Sequence, residues 1–124
     1  MIRPQYHFRQ VDGHTHIWEV RKLAARIADH PIINVALTDI REIHEPYWFH
    51  DQAPTCARII AHAQQCADAD LDYPIILCNA GRIMDGMHRV MKAYGLGHSH
   101  IKARQFNMPL APDYIDIPAE NLPY

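Results

Sequence analysis

In RIMDGMHRVMKAYG, from Arg82 to Gly95, a short apolar strand passes through Asp85-Gly86 directly into a helical period. Met87, Val90, Met91 and Tyr94 fall on one helical face, and Gly95 or Gly97 can end the helix. Just upstream, YPIILCNAGRIM carries two apolar runs around Asn79-Ala80-Gly81, residues that tolerate positive φ, which predicts a hairpin. This hairpin-to-helix junction is the most sharply specified element of the chain. The other segments must pack around it.

Earlier in the chain, Ile17, Val20, Leu23, Ala24, Ile27 and Ala28 recur at helical spacing, with Thr15 placed to cap a helix and Pro31 just beyond its end. IINVALTDI, rich in β-branched and apolar residues, predicts a strand, and REIHEPYWFHDQA, with Pro46 inside it, a loop. From Pro54 to Ala67, the residues Cys56, Ile59, Ile60, Ala63 and Ala67 share one face, predicting a second helix with Pro54 in its first turn. HIKARQF reads as a last strand. The tail from Pro109 to Tyr124, with four prolines, is expected to lie extended over the surface or a neighbour. The expected fold class is α/β: one small domain over 1–108, with a small mixed sheet and about three main helices, then the Pro-rich tail 109–124.

Composition supports a single domain, since 124 residues supply one modest core and too few residues for two. Hydrophobic residues at 48% and charged ones at 21% place the chain among soluble globular proteins. A formal charge of −2 offers no global attraction to nucleic acid or anionic lipid, although ten His would turn the balance positive at mildly acid pH. Cys56, Cys66 and Cys78 form no C-x-x-C pair and cannot all close internal disulfides, which favours a reducing compartment and a cytoplasmic address. MIRPQYHFRQ has no apolar run of secretory type, and runs such as PIIL are far too short to span a bilayer, so no membrane partner is expected.

The chemistry concentrates at the junction. The first turn of a helix exposes backbone N–H groups and the positive end of the macrodipole, and so attracts phosphate or carboxylate. Gly86 would let an anion approach the backbone, while His88 and Arg89 add side-chain donors, Arg with a fork that suits phosphate. A purely local reading uses the same residues: Asp85 as N-cap, Gly86 as tight turn, His88 as a surface residue, Arg89 as half of an ion pair.

VALTDIREIHEPYWF, then YPIIL, then RIMDGMHRVMKAYGL, spanning Val35 to Phe106 with the intervening segments, together resemble the ParB/sulfiredoxin-like fold. In that fold a strand, a functional loop, a helix, a hairpin and a phosphate-binding helix N-terminus follow in this order, so 35–106 is the recognisable core. The first stretch resembles the first ParB box, and YPIIL is similar to the family's Q-P-I-x-V strand. RIMDGMHRVM resembles the D-G-H-H-R form of the free serine kinase branch more than the G-E-R-R of partition proteins. Sulfiredoxins carry a Cys in G-C-H-R where this chain has Met87, which argues against cysteine-based sulfinic acid repair. The Pro-rich tail stands where partition proteins continue into a helix-turn-helix, and HEPYWF lacks the Gln and Arg of the first box, so neither a complete partition protein nor a CTP clamp is expected.

The resemblance implies a nucleotide site at Gly86, Met87, His88 and Arg89, for ATP or ADP, with CTP a third candidate, and Mg²⁺ reached by Asp85 through water. Kinase members of the fold place a Glu in the loop after the first strand, where it takes a proton from a substrate hydroxyl. Glu45 is the candidate here, with Glu42 second, so that Glu45, Asp85 and His88 are the expected catalytic residues. The implied activity is phosphoryl transfer from a nucleotide to an unidentified small-molecule acceptor or to water. One alternative is a non-catalytic module that binds the nucleotide and acts through a protein partner. Another is a ParB-like nuclease, against which stand the lack of a dense acidic cluster and of a basic excess. Nucleic acid is not an expected partner, and a homodimer is compatible with the tail. Tyr47 and Trp48 could wall a nucleotide base or anchor their loop to the core.

VDGHTHIW also resembles the first metal-binding motif of amidohydrolases. Those enzymes complete the site across a large barrel of alternating strands and helices, which 124 residues cannot supply. His98 and His100 form a second H-x-H, but nothing in the spacing brings the two pairs together, so no metal ligand is assigned. His62, three residues after Ile59, reads as a partly buried boundary histidine.

Overall fold

The computed structural model describes residues 5–50 and 53–124; positions 51 and 52 of the expected loop lie outside them. Asp12 and Gly13 hold φ of 51° and 81° and reverse the chain within two residues. They join β1 (Tyr6–Val11) to β2 (His14–Glu19), antiparallel, with Val11 opposite His14 and Tyr6 opposite Glu19. Asp-Gly is favoured there because both positions of such a turn need left-handed backbone.

This hairpin corrects the expected first helix. Ile17 is fully buried on β2, and Thr15 is a strand residue whose hydroxyl accepts from Gln10 Nε2 at 2.6 Å, not a cap. The inward positions of the strand happened to extend the helical spacing that follows. Helix α1 (Val20–Ile27) starts after Glu19 and buries Leu23 and Ile27.

β3 (Ile33–Ala36) leads into tight turns at Leu37–Asp39 and Arg41–His44, then α2 (Cys56–Asp68). β4 (Ile75–Leu77) and β5 (Ile83–Asp85) form the expected hairpin, with Gly81 at φ 80° in its turn. α3 (Met87–Gly95) and β6 (His100–Gln105) follow. The strands order as β3-β6-β4-β5, antiparallel except for the parallel β6/β4 pair, so the sheet is mixed. With three α-helices among the described residues, the molecule is the small α/β fold expected.

The tail runs back across the N-terminal hairpin. β7 (Tyr114–Ile115) pairs antiparallel with β2, making a second, three-stranded sheet, and Leu122 is buried. The Tyr6 hydroxyl donates to the Pro123 carbonyl. No described helix is long and apolar enough to cross a membrane.

Alternation along the central strands divides the core between the two faces of the mixed sheet. Ile75, Leu77, Ile83, Ile101 and Ala103 face α3, through Met87, Val90 and Ala93, and the turn residues Leu37 and Ile40. Ile76, Cys78, Met84 and Phe106 face the opposite way, against Trp18, Leu23 and Ile27. The junction therefore sits between two cores.

Helix α2 departs from its expected orientation. No residue of it is buried, and Ile59 and Ile60, on the shared apolar face read from the spacing, are 49% and 58% exposed. The helix instead turns Arg58 and His62 inward, each half-buried and each in contact with the Trp48–Phe49 loop segment. These polar and aromatic contacts set the orientation, and the apolar stripe of Ile59 and Ile60 stays exposed among the described residues. Thr55 caps the helix, its Oγ1 accepting from the Arg58 N–H at 3.2 Å, so Pro54 precedes the cap and does not belong to the first turn. In α3, likewise, Ala93 takes the inward position and Tyr94 is half-exposed. Gly97, at φ 78°, is the left-handed residue beyond its end.

Candidate functional site

Strand β5 passes into α3 through one residue, Gly86, at φ 110° and ψ 22°. A Cβ there would lie 2.6 Å from Cγ2 of Ile75 and 3.0 Å from Nη2 of Arg89. The space that Gly86 leaves is thus already filled by core and by Arg89. Its lack of a side chain serves backbone conformation and packing, and not an anion's approach along that direction.

Asp85 does not cap α3. Its Oδ2 accepts from Arg89 Nη2 at 2.9 Å, and among the described residues no side chain bonds to the amides of the helix's first turn. Arg89 also donates from Nη1 to the carbonyls of Tyr73 and Pro74, at 3.0 and 2.7 Å. Its guanidinium ties the entry of β4 to the junction, with Nη1 and Nη2 both engaged. Met87 is buried in the core.

Asp85, Gly86, Met87 and His88 lie together between two clefts. One, of about 520 Å³, is walled by Ala24 and Ile27 of α1, by Tyr73 and Pro74, and by Arg89 and Arg104. The other, of about 620 Å³, opens toward His7 and Phe8 of β1, Tyr47, Trp48 and Gln65 of α2. Arg104 was not singled out from the sequence. It reaches the cleft because parallel pairing sets it opposite Ile76, on the face away from Ala103 and α3. Its buried Nε has no hydrogen-bond partner among the described residues.

Trp48 lines the second cleft, and His62 packs with it against His88. His62 Nδ1 and His88 Nε2 are 2.9 Å apart, and the two rings lie nearly parallel to the Trp48 indole, at 4.2 and 4.7 Å between centroids. Burial lowers the pKa of both imidazoles; Arg58 adds to this at His62 and the neighbouring ring at His88, where Asp85 opposes it.

Glu45 stands apart. It accepts from both terminal nitrogens of Arg82, at 3.0 and 2.7 Å, and lines neither cleft at the start of α3. It borders a neighbouring cleft of about 480 Å³ with Tyr6, His7, Arg9 and Tyr47. The Arg82 hydrogen bonds hold its carboxyl below the usual range. Glu42 is buried and structural: Oε2 accepts from the Ile83 N–H at 2.7 Å and lies 3.4 Å from Arg82 Nε. In the same region burial pushes Tyr47 up to about 12 and, with Arg9, brings His7 down to about 4.

The Asp-x-His-x-His stretch makes a tie between hairpin and tail, His14 Nδ1 meeting Asp116 Oδ2 at 2.6 Å. Among the described residues no group of three or more His, Cys, Asp or Glu could hold a metal ion. No family model matches the chain, and no curated protein and no solved structure does so.

Proposed function

We propose that the chain binds a phosphate-bearing ligand at the start of α3, a nucleotide being the class that its resemblance to the ParB/sulfiredoxin-like fold adds. The order β3, loop, α2, β4–β5 hairpin, α3, β6 supports that resemblance. The observation that carries the reading is the first turn of α3, uncapped by any described side chain, at the edge of a cleft of about 520 Å³ that Arg104 also lines. Free amides and the positive end of a helix dipole attract phosphate oxygens. Arg104, which lines that cleft and is not engaged by a carboxylate or carbonyl among the described residues, supplies a cationic donor beside Arg89, which Asp85 and two carbonyls hold. The cleft falls in the size range of small-molecule sites. Mg²⁺ keeps several waters and is held by one or two carboxylates together with the ligand's own phosphates; Asp85 and Asp70 are the carboxylates that line the cleft.

Phosphoryl transfer to a hydroxyl or to water is the second reading, favoured by His88 beside both clefts. Glu45 is poorly suited to deprotonate the acceptor, since Arg82 stabilises its charged form and it faces a different cleft.

Calorimetric titration with ATP, ADP and CTP, with and without Mg²⁺, tests the binding. At least one is expected to bind, and Arg104→Gln to weaken it about tenfold or more, the worth of one charge-assisted hydrogen bond. No binding of any of the three to the folded protein would sink the proposal.

A further inference from the structure

We propose that His62 and His88 act as one proton-exchanging dyad in this site. His88 takes a proton at Nδ1 when a phosphate dianion binds, and His62 holds it in the tautomer that permits this. The inference rests on the phosphate-ligand reading above.

The geometry is that of a shared proton. The two ring centroids are 5.2 Å apart, the planes differ by 20°, and the facing nitrogens are 2.9 Å apart. The centroid separation exceeds the nitrogen separation by about the two centroid-to-nitrogen radii. Centroid, nitrogen, nitrogen and centroid therefore lie nearly on one line. Each lone pair points at the other ring, and the pair does not converge on a third atom as two metal ligands would. One N–H fits between them; two would meet head-on, so the dyad accepts one additional proton and resists a second.

Trp48 fixes the planes. His62 lies 9° and His88 18° from parallel to the indole, and Phe49 meets His62 edge-on at 5.6 Å. An indole face also favours a cation stacked upon it. Location gives the dyad a direction: His88 borders both clefts at the start of α3, and His62 borders neither. With Nε2 engaged by His62, His88 meets a ligand through Nδ1. If both neutral rings carry their proton on Nε2, the form ordinarily preferred by histidine, His88 donates to His62 Nδ1 and keeps its own Nδ1 as acceptor.

Burial favours the neutral dyad until a ligand arrives, with Arg58 adding to this at His62 and Asp85 opposing it at His88. Arg58 approaches His62 on α2, while Asp85 of β5 faces His88 with its carboxylate held by Arg89 of α3. Trp48 and Phe49 bring no charge, and His7, across the second cleft on β1, is buried. A phosphate dianion at the α3 amides adds the negative charge that draws one proton from solvent. An N–H bond forms at His88 Nδ1, and no bond in the ligand breaks.

The test has two arms. In ¹⁵N–¹H spectra of the free protein's imidazoles, His62 and His88 are expected to be neutral Nε2–H tautomers above neutral pH and to titrate as one unit. Separate titrations, or His88 protonated on Nδ1 in the free neutral form, would overturn the dyad. Calorimetry with inorganic phosphate and with ADP, in buffers of different ionisation enthalpy, reads the protons taken up. About one is expected in the mildly alkaline range, with Kd falling up to tenfold per pH unit as pH drops toward neutrality. His62→Phe should lose most of this uptake, and His62→Gln, whose carbonyl can accept the same bond, should retain it. Binding without proton uptake, or uptake undiminished in His62→Phe, would overturn the dyad and leave the phosphate reading standing. No binding of either probe would remove both.

Discussion

Replacing Gly86 by alanine loads two separate penalties on one added carbon. The first is conformational: at φ 110° and ψ 22° an L residue carries about 1–3 kcal/mol of backbone strain. The second is steric. The new Cβ would stand 2.6 Å from Cγ2 and 3.0 Å from Cβ of Ile75, a side chain with no exposed surface, and it would press on Arg89 Nη2 at 3.0 Å. Moving a packed side chain to relieve such an overlap costs about 1–3 kcal/mol. The expected loss is therefore about 2–6 kcal/mol, a large share of the stability of a small domain. Gly81→Ala is the internal control, because Gly81 has φ 80° but nothing within 4 Å of an added Cβ, and only the backbone penalty of about 1–2 kcal/mol applies. Urea unfolding of both variants, followed through Trp18 and Trp48, should put Gly86→Ala at least about 1 kcal/mol below Gly81→Ala. Equal losses would refute the assignment of Gly86 to packing. A stable Gly86→Ala variant that had lost only nucleotide binding would return the residue to the anion-approach role read from the sequence.

Three further outcomes are expected. Glu42→Ala leaves the Ile83 N–H without its acceptor inside the core and should cost about 2–4 kcal/mol in urea unfolding; a loss under about 1 kcal/mol would mean water replaces the carboxylate. His7, buried and brought from 6.5 down to about 4, is neutral in the fold, so the unfolded chain binds more protons between those values. Its contribution is whole above about pH 6.5 and is lost as pH falls through about 4, up to about 3 kcal/mol, and His7→Phe should flatten that slope of stability against pH. The double variant Ile59→Lys, Ile60→Lys should change stability by less than about 0.5 kcal/mol, because both side chains are about half exposed; a larger loss would show that this face of α2 is covered in solution.

The middle of the chain was legible because its signals were local. Asn79-Ala80-Gly81 marks a turn, the runs on either side mark strands, and Pro109 onward cannot continue a helix, all without reference to distant residues. The N-terminal hairpin was equally local, with Asp12-Gly13 between Tyr6–Val11 and His14–Glu19, but its His spacing drew attention to metal chemistry and its inward Ile17 to a helical count. Helix α2 shows the limit of periodicity. A stripe of Cys56, Ile59, Ile60, Ala63 and Ala67 defines a face, yet which face turns inward depends on what the neighbours offer, and here Trp48 offered a stacking surface to His62.

The junction was recognisable from residue types, but the division of labour within it was not. A run of Asp, Gly, His and Arg names groups able to meet a phosphate; it does not say which of them the fold has already engaged. Arg89 is held by Asp85 and by two carbonyls from the entry of β4, and Glu45 by Arg82, so the two residues with the most apparent chemistry are the ones already paired. What stands beside the motif comes from elsewhere in the sequence: Arg104 enters a cleft through the parallel pairing of β4 with β6, and His62, which borders neither cleft, backs His88 from a helix that packs on α3. A short motif can locate the start of such a site, because backbone amides at a helix N-terminus are a local property. Its charge balance is a tertiary property, set by which donors remain unpaired once strands and helices have come together, and variants of Arg104 and His62 therefore test the site more sharply than variants within the motif.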